Sequence, residues 1–229
     1  MQIAGLQKLT LLDFPGRIAC TVFLSGCNLR CPFCHNASLV LPRGELGGTT
    51  EDELLAFLQK RRGRLQGVCI TGGEPTLYPG LPDLLRKIRL LGYEVKLDTN
   101  GTNPHMLRVL LEEGLADYVA MDIKNSPAHY SETCGGVDVL AKVRESAALL
   151  MQSSIDYEFR TTLAHPLHTA EDAAAIGQWL SGAKRYFLQQ FVDSGDLIGT
   201  GLSPLTPEEM EAMRQAVLPY IKETTLRGI

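Results

Sequence analysis

The chain has 229 residues, 45% of them hydrophobic and 21% charged, with a formal net charge of −4. That composition suits a folded soluble protein, is too apolar for a disordered one, and its acidic balance argues against a nucleic-acid partner. No apolar run approaches the roughly 18 residues of a membrane span, so no membrane partner is expected. The opening stretch MQIAGLQKLTLLDFPGR has no basic-then-apolar signal pattern, and the expected location is the cytoplasm.

Taken in chain order, short β-like runs alternate with amphipathic segments. The expected strands are Ile18–Leu24, Gly67–Thr71, Glu94–Thr99, Tyr118–Ile123, Asp156–Thr162 and Arg185–Phe191. Between them Leu81, Leu84, Leu85, Ile88 and Leu91 recur at helical spacing, as do Met106, Leu107, Leu110 and Leu111. Met210, Met213, Val217 and Ile221 form a last helical stripe, within a C-terminal helix expected at about 207–223. Thr50 with Glu53 and Thr206 with Glu209 read as capping boxes, and Pro207 suits a first helical position. Six β-then-α units imply an α/β fold with a parallel sheet and right-handed crossovers. The units are expected to curl into an open, partial (β/α)6 barrel with outer helices. No linker divides the chain, so one domain is expected over 1–229, with its core at about 15–192.

In such a fold the chemistry gathers at the C-terminal ends of the strands. The sequence agrees: SGCNLRCPFCHN, TGGEPT, DTNG and MDIKN each follow or close one of the first four strands. Cys27, Cys31 and Cys34 have the spacing C-x3-C-x2-C, and Gly26 permits the sharp turn that brings three thiolates together. Soft thiolates favour zinc or an iron–sulfur cluster. A structural zinc wants four ligands; His35 could be the fourth, but it is cramped against Cys34. Three cysteines on a cubane cluster would leave one iron open. Buried core thiols are the remaining alternative at this point. Asp122 and Lys124 share a strand face, opposite Val119, Met121 and Ile123, and suggest a rim ion pair or a used charge pair.

The cysteine motif, with aromatic Phe33 before its last Cys, resembles the signature of the radical S-adenosylmethionine (SAM) superfamily. Thr71-Gly72-Gly73-Glu74-Pro75 resembles that superfamily's GGEP motif. The ordered string KLTLLDFPG, CPFCHN, TGGEP, DTNG and MDIK resembles the glycyl-radical-enzyme activases, in particular the short activating proteins of anaerobic ribonucleoside-triphosphate reductase. The likeness runs from about Gly5 to Phe191 and includes no ferredoxin-like Cys-rich insert.

The resemblance implies a [4Fe–4S] cluster on Cys27, Cys31 and Cys34 whose open iron binds SAM. Reductive cleavage of SAM then gives a 5′-deoxyadenosyl radical, which removes a hydrogen from a glycine of a partner enzyme. The implied partners are anaerobic ribonucleoside-triphosphate reductase and a flavodoxin- or ferredoxin-type electron donor. The alternatives are another glycyl radical enzyme, a small molecule or RNA as the target. The SAM contacts implied are Phe33, Gly72, Gly73, Glu74, Asp98, Lys124, Arg160 and Gln190. Gly72 and Gly73 would let backbone approach the methionine moiety, and Glu74 would balance its ammonium. Gln190, or Gln189 beside it, would replace the late-strand His of pyruvate formate-lyase activases. Some activases hold a monovalent cation beside SAM, and Asp98, Thr99, Met121 and Asp122 stand at the matching places.

The remaining residues of note read as structural. Arg160 shares a face with Glu158 and Thr162, so an Arg–Glu pair is its bland role. His165 and His168 are expected to shape the rim. Cys20 and Cys69 are expected in the core, and Cys134 has no assigned role. Lys60, Arg61, Arg62 and Arg64 read as a solvated helix end.

Overall fold

A computed structural model describes residues 3–41 and 48–229. Among the described residues eight strands form one sheet in sequential order: β1 (Ile3–Thr10), β2 (Ala19–Leu24), β3 (Gly67–Gly72), β4 (Glu94–Thr99), β5 (Tyr118–Asp122), β6 (Asp156–Leu163), β7 (Tyr186–Gln190) and β8 (Thr224–Arg227). All neighbours pair in parallel except β1, which runs antiparallel to β2. The six expected strands are β2–β7, so the open parallel barrel stands, with one further strand on each edge. Those two strands were not expected. β1 carries Gly5 and the polar pair Gln7 and Lys8, and its register with β2 shifts twice, so it shows no clean alternation. β8 is four residues long, too short for periodicity to register.

The helices are α1 (Ala37–Val40), α2 (Glu51–Arg61), α3 (Leu81–Leu90), α4 (Pro104–Glu112), α5 (Tyr130–Thr133), α6 (Leu140–Gln152), α7 (Ala170–Trp179) and α8 (Pro207–Val217). The apolar stripe Leu81, Leu84, Leu85 and Ile88 of α3 is fully buried; each such side chain contributes about 2 kcal/mol of transfer energy. Both expected capping boxes form, Thr50 with Glu53 on α2 and Thr206 with Glu209 on α8. A third, Thr169 with Asp172, starts α7. The C-terminal helix ends at Val217, and the chain then turns into β8 rather than continuing helical to 223.

Alternation along the strands sorts the side chains. Val22, Leu24, Val68, Ile70, Val95, Leu97, Val119 and Met121 belong to the large core beneath the helices. Asp98, Asp122, Arg160, Thr162 and Gln189 face a cavity inside the barrel. Two residues earlier on the same faces stand Lys96 and Glu158, both buried. At the other end, Phe14, Ala19, Tyr118 and Ala120 form a separate small cluster. Gly67 is needed there, because a Cβ would lie 2.7 Å from the Phe14 ring.

Candidate active site

The mouth of the barrel holds a cavity of about 220 Å³ at the C-terminal ends of the strands. Cys27, Cys31 and Cys34 all line it. Their loop is shaped by Gly26, whose φ is +84°, and by Arg30, whose guanidinium donates to the carbonyls of Cys27 at 2.7 Å and Leu29 at 2.8 Å. Asn100 approaches from β4's end, its amide nitrogen 3.7 Å from Cys27 Sγ and 3.1 Å from Asn28 Oδ1. Among the described residues no cysteine is in a disulfide.

Burial pushes the Cys27 thiol up to about 11 and raises Cys34 as well. Cys31 moves the other way: a hydrogen bond from Cys134 and the Lys124 ammonium outweigh burial and hold it below the ordinary thiol range. Cys134 is thus a neighbour of the site that its sequence context, ETCGG, did not reveal. Its carbonyl also accepts the Arg30 N–H at 3.2 Å. All three thiols line the same half-open cavity. Among the described residues no three such side chains are gathered closely enough to hold a single metal ion, and the chemistry of the set, three soft sulfurs, fits the larger iron–sulfur cluster with one open iron.

The two glycines of the second motif line the cavity, but close packing of the protein backbone explains them. A Cβ on Gly73 would lie 1.9 Å from the Gly26 carbonyl oxygen, and one on Gly72, where φ is +112°, 2.3 Å from that of Leu24. They let the β3 turn lie directly against the cysteine loop.

Glu74 departs from expectation. It is 0% exposed and does not line the cavity. Its carboxylate accepts from the Thr76 N–H at 3.1 Å, the Thr76 hydroxyl, the Thr99 hydroxyl at 2.7 Å and the Asn100 N–H at 2.6 Å. Burial pushes this carboxyl up, and the four donors pull against it. Glu74 therefore ties the end of β3 to the end of β4 rather than facing an ammonium.

The charged wall is denser than the sequence suggested. Arg160 lies between two carboxylates: Nη1 is 3.3 Å from Asp98 Oδ2, and Nη2 is 2.9 Å from Asp122 Oδ1. Lys124 Nζ is 2.9 Å from Asp122 Oδ2. Burial alone would raise Asp122, but Arg160 and Lys124 hold it well below the carboxylate range. Burial likewise opposes the charge on Lys124, and Asp122 and Cys31 outweigh it. Lys124 also sits 5.9 Å from the centroid of the Phe33 ring, which is buried and lines the cavity. The Arg160–Glu158 pair does not form. Glu158 instead accepts from Arg227 at 2.8 and 3.0 Å and from the Tyr118 hydroxyl at 2.7 Å.

The side chains of the four residues matched to a cation do not converge. Asp98 and Asp122 share Arg160, Thr99 gives its hydroxyl to Glu74, and the Met121 side chain lies in the sheet–helix core beside Gly101. Alternation puts Met121 and Asp122 on opposite faces. Gln190 is also corrected: its amide donates to the Leu205 carbonyl at 2.5 Å, and Gln189 lines the cavity in its place. His165 bonds Glu209 at 3.1 Å, whereas the buried His168 ring bonds the Lys124 carbonyl at 2.9 Å, so the two shape the rim separately. The segment after β7 closes over the cysteine loop, with the Gly199 N–H donating to the Pro32 carbonyl at 2.9 Å.

An open β/α barrel with a three-thiol cavity at its C-terminal mouth defines a cofactor-dependent α/β enzyme. Residues 21–180 match the model of the Radical SAM superfamily, and the chain belongs to that superfamily. It is a radical SAM enzyme, and its family implies a [4Fe–4S] cluster and S-adenosylmethionine. A Methanocaldococcus jannaschii protein, provisionally assigned as a glycyl-radical enzyme activating enzyme, is 30% identical over 99% of this chain and 96% of its own length. The pyruvate formate-lyase-activating enzyme of Clostridium pasteurianum is 33% identical over 54% of this chain and 52% of that protein. Streptococcus suis SuiB bound to S-adenosylmethionine shares the fold, with a TM-score of 0.67 at 13% identity over 91% of this chain and 52% of that one. The chain thus spans nearly all of the first relative but about half of the other two proteins. No described helix is long and apolar enough to cross a membrane.

Proposed function

We propose that the chain is an activating enzyme for a glycyl radical enzyme. The observation that carries this is the convergence of Cys27, Cys31 and Cys34 with the Lys124–Asp122–Arg160–Asp98 wall on one cavity, in a chain similar over 99% of its length to a protein provisionally assigned that activity. The three thiolates would hold the cluster. Lys124 and Arg160 present positive charge toward the cavity, suited to a carboxylate; Phe33 and Gln189 supply an apolar and a polar wall. When bound, the cluster and SAM supply a 5′-deoxyadenosyl radical able to take a hydrogen from a glycine Cα.

The protein's part is to bind, orient and exclude water. Because Asp98 is already paired with Lys96 and Arg160, and Asp122 with Arg160 and Lys124, this reading needs no monovalent cation on them. The motif string favours anaerobic ribonucleoside-triphosphate reductase as the partner, with a flavodoxin- or ferredoxin-type protein as reductant. The test is anaerobic incubation of reconstituted enzyme with SAM, a reductant and candidate partners, read by electron paramagnetic resonance. A glycyl radical on the reductase is expected. A radical only on a different enzyme would reject that partner, and SAM cleavage without any glycyl radical would point to a small-molecule or RNA substrate.

A further inference from the structure

Beneath the cavity floor lies a residue that no motif contains. Lys96 stands on β4 two positions before Asp98, so the two side chains share the inner face of the barrel. The Lys96 side chain is 3% exposed, and its ammonium is paired with Asp98 Oδ1. Its other polar neighbour is Cys69 Sγ at 3.8 Å. The opposite oxygen, Asp98 Oδ2, faces Arg160 Nη1, and Arg160 continues to Asp122 and Lys124. The result is one line of alternating charge, Lys96–Asp98–Arg160–Asp122–Lys124. Lys96 does not line the cavity; the other four do.

A buried ammonium is a poor choice for stability alone, since an apolar side chain of similar length avoids its desolvation. What Lys96 supplies is orientation. With one Asp98 oxygen fixed from below, the other is aimed at Arg160, and the guanidinium is held between two carboxylates instead of swinging to one. We propose that Lys96 is the positioning residue for Arg160, acting through Asp98, and thereby sets how tightly the cavity takes the carboxylate end of its ligand. This rests on the reading that the cavity binds SAM.

The experiment uses the anaerobically reconstituted full chain and measures the SAM dissociation constant by equilibrium dialysis. Lys96→Met is expected to weaken binding about tenfold, within the range for a residue that acts on a ligand through a packed network without touching it. Lys96→Arg keeps a cation beside Asp98 and is expected to restore most of the loss. In an Asp98→Asn background, Lys96→Met is expected to change binding by less than about twofold, because the link is already cut. Unchanged affinity in Lys96→Met overturns the proposal. So does a Lys96→Met penalty of equal size in the Asp98→Asn background, which would mean that Lys96 acts by another route. Should Lys96→Met fail to fold, Lys96→Gln in the same two backgrounds makes the same comparison. If the parent itself takes up no SAM, the cofactor reading fails, whereas urea unfolding of the four cluster-free proteins of the same cycle still shows whether Lys96 and Asp98 are coupled; additive effects there overturn the proposal.

Discussion

The Glu74 carboxylate accepts the Asn100 backbone N–H at 2.6 Å and so fastens the turn after β3 to the turn after β4. Asn100 in turn reaches Cys27 Sγ and Asn28. The position of the cysteine loop therefore depends on a carboxylate that never meets the cavity. Glu74→Gln keeps the shape but sets an amide donor against at least one of four donors. It is expected to cost about 1–3 kcal/mol, the scale of an unsatisfied buried group. The check is urea unfolding of the cluster-free chain. A Glu74→Gln protein of parental stability with weakened SAM binding would show instead that Glu74 faces the ligand.

Gly73 tests the same junction from the backbone side. With the Gly26 carbonyl 1.9 Å from where a Cβ would stand, Gly73→Ala must push the β3 turn off the cysteine loop. The expected cost is about 1–3 kcal/mol or more, together with loss of cluster uptake, read as absorbance near 400 nm after anaerobic reconstitution. Gly80→Ala is the control, because a Cβ there meets open space and φ is not positive; parental cluster uptake is expected.

What the sequence made legible follows from how local each signal was. The cysteine loop announced itself because its ligands lie within eight residues and Gly26 marks the turn. The six inner strands were readable as apolar runs between caps and turns. Glu74 was misread because a motif fixes that a carboxylate is present but not which way it points; only the positions of Thr99 and Asn100, on the next strand, decide that. Met121 was different, since period-two alternation already set its side chain opposite Asp122 and argued against a shared set of side-chain ligands. Lys96 was hidden in a strand, although the same alternation places it under Asp98. Cys134 could not be found at all from sequence, because its contact with Cys31 spans most of the barrel's first half.

Gln189 and Gln190 are neighbours with opposite duties. Gln189 lines the cavity, and Gln190 holds the Leu205 carbonyl at 2.5 Å. Gln189→Ala is expected to weaken SAM binding about fivefold, the equivalent of one hydrogen bond of about 1 kcal/mol. Gln190→Ala is expected to leave affinity within about twofold while lowering the unfolding temperature, since it leaves a buried carbonyl short of its donor. Dialysis and thermal unfolding of both variants decide it; the reverse pattern would return the cavity role to Gln190.

His129 and Asp172 give the stability a pH signature. Burial pushes Asp172 up, but hydrogen bonds from Ser126, His129 and Thr169 outweigh it and hold the carboxyl below its ordinary range. Its share of stability is present above the unfolded carboxylate pKa and is lost only in strong acid. His129 is raised by its bond to Asp172 at 2.7 Å. Its share is complete below the unfolded imidazole pKa of about 6.5 and disappears as pH rises through the folded value. His129→Gln should therefore destabilise more at pH 5.5 than at pH 8.5. Urea unfolding of parent and variant at both pH values measures this, and an equal difference at the two would contradict it.

The four cysteines near the mouth divide into three that would bind iron and one that would not. Cys27, Cys31 and Cys34 line the cavity, whereas Cys134 is a free, fully buried thiol hydrogen-bonded to Cys31. Cys31→Ala removes a ligand at the centre of the loop and is expected to abolish both cluster uptake and SAM cleavage. Cys134→Ala leaves all three ligands in place. It removes one hydrogen bond to Cys31 and opens a small void, for an expected loss of about 1–2 kcal/mol in the cluster-free chain. Iron and sulfide analysis after reconstitution separates the two roles. Cys134→Ala should retain iron and sulfide in the parental ratio. If it lost the cluster while Cys31→Ala kept it, the pair would have exchanged places and the ligand set would have to be redrawn around Cys134.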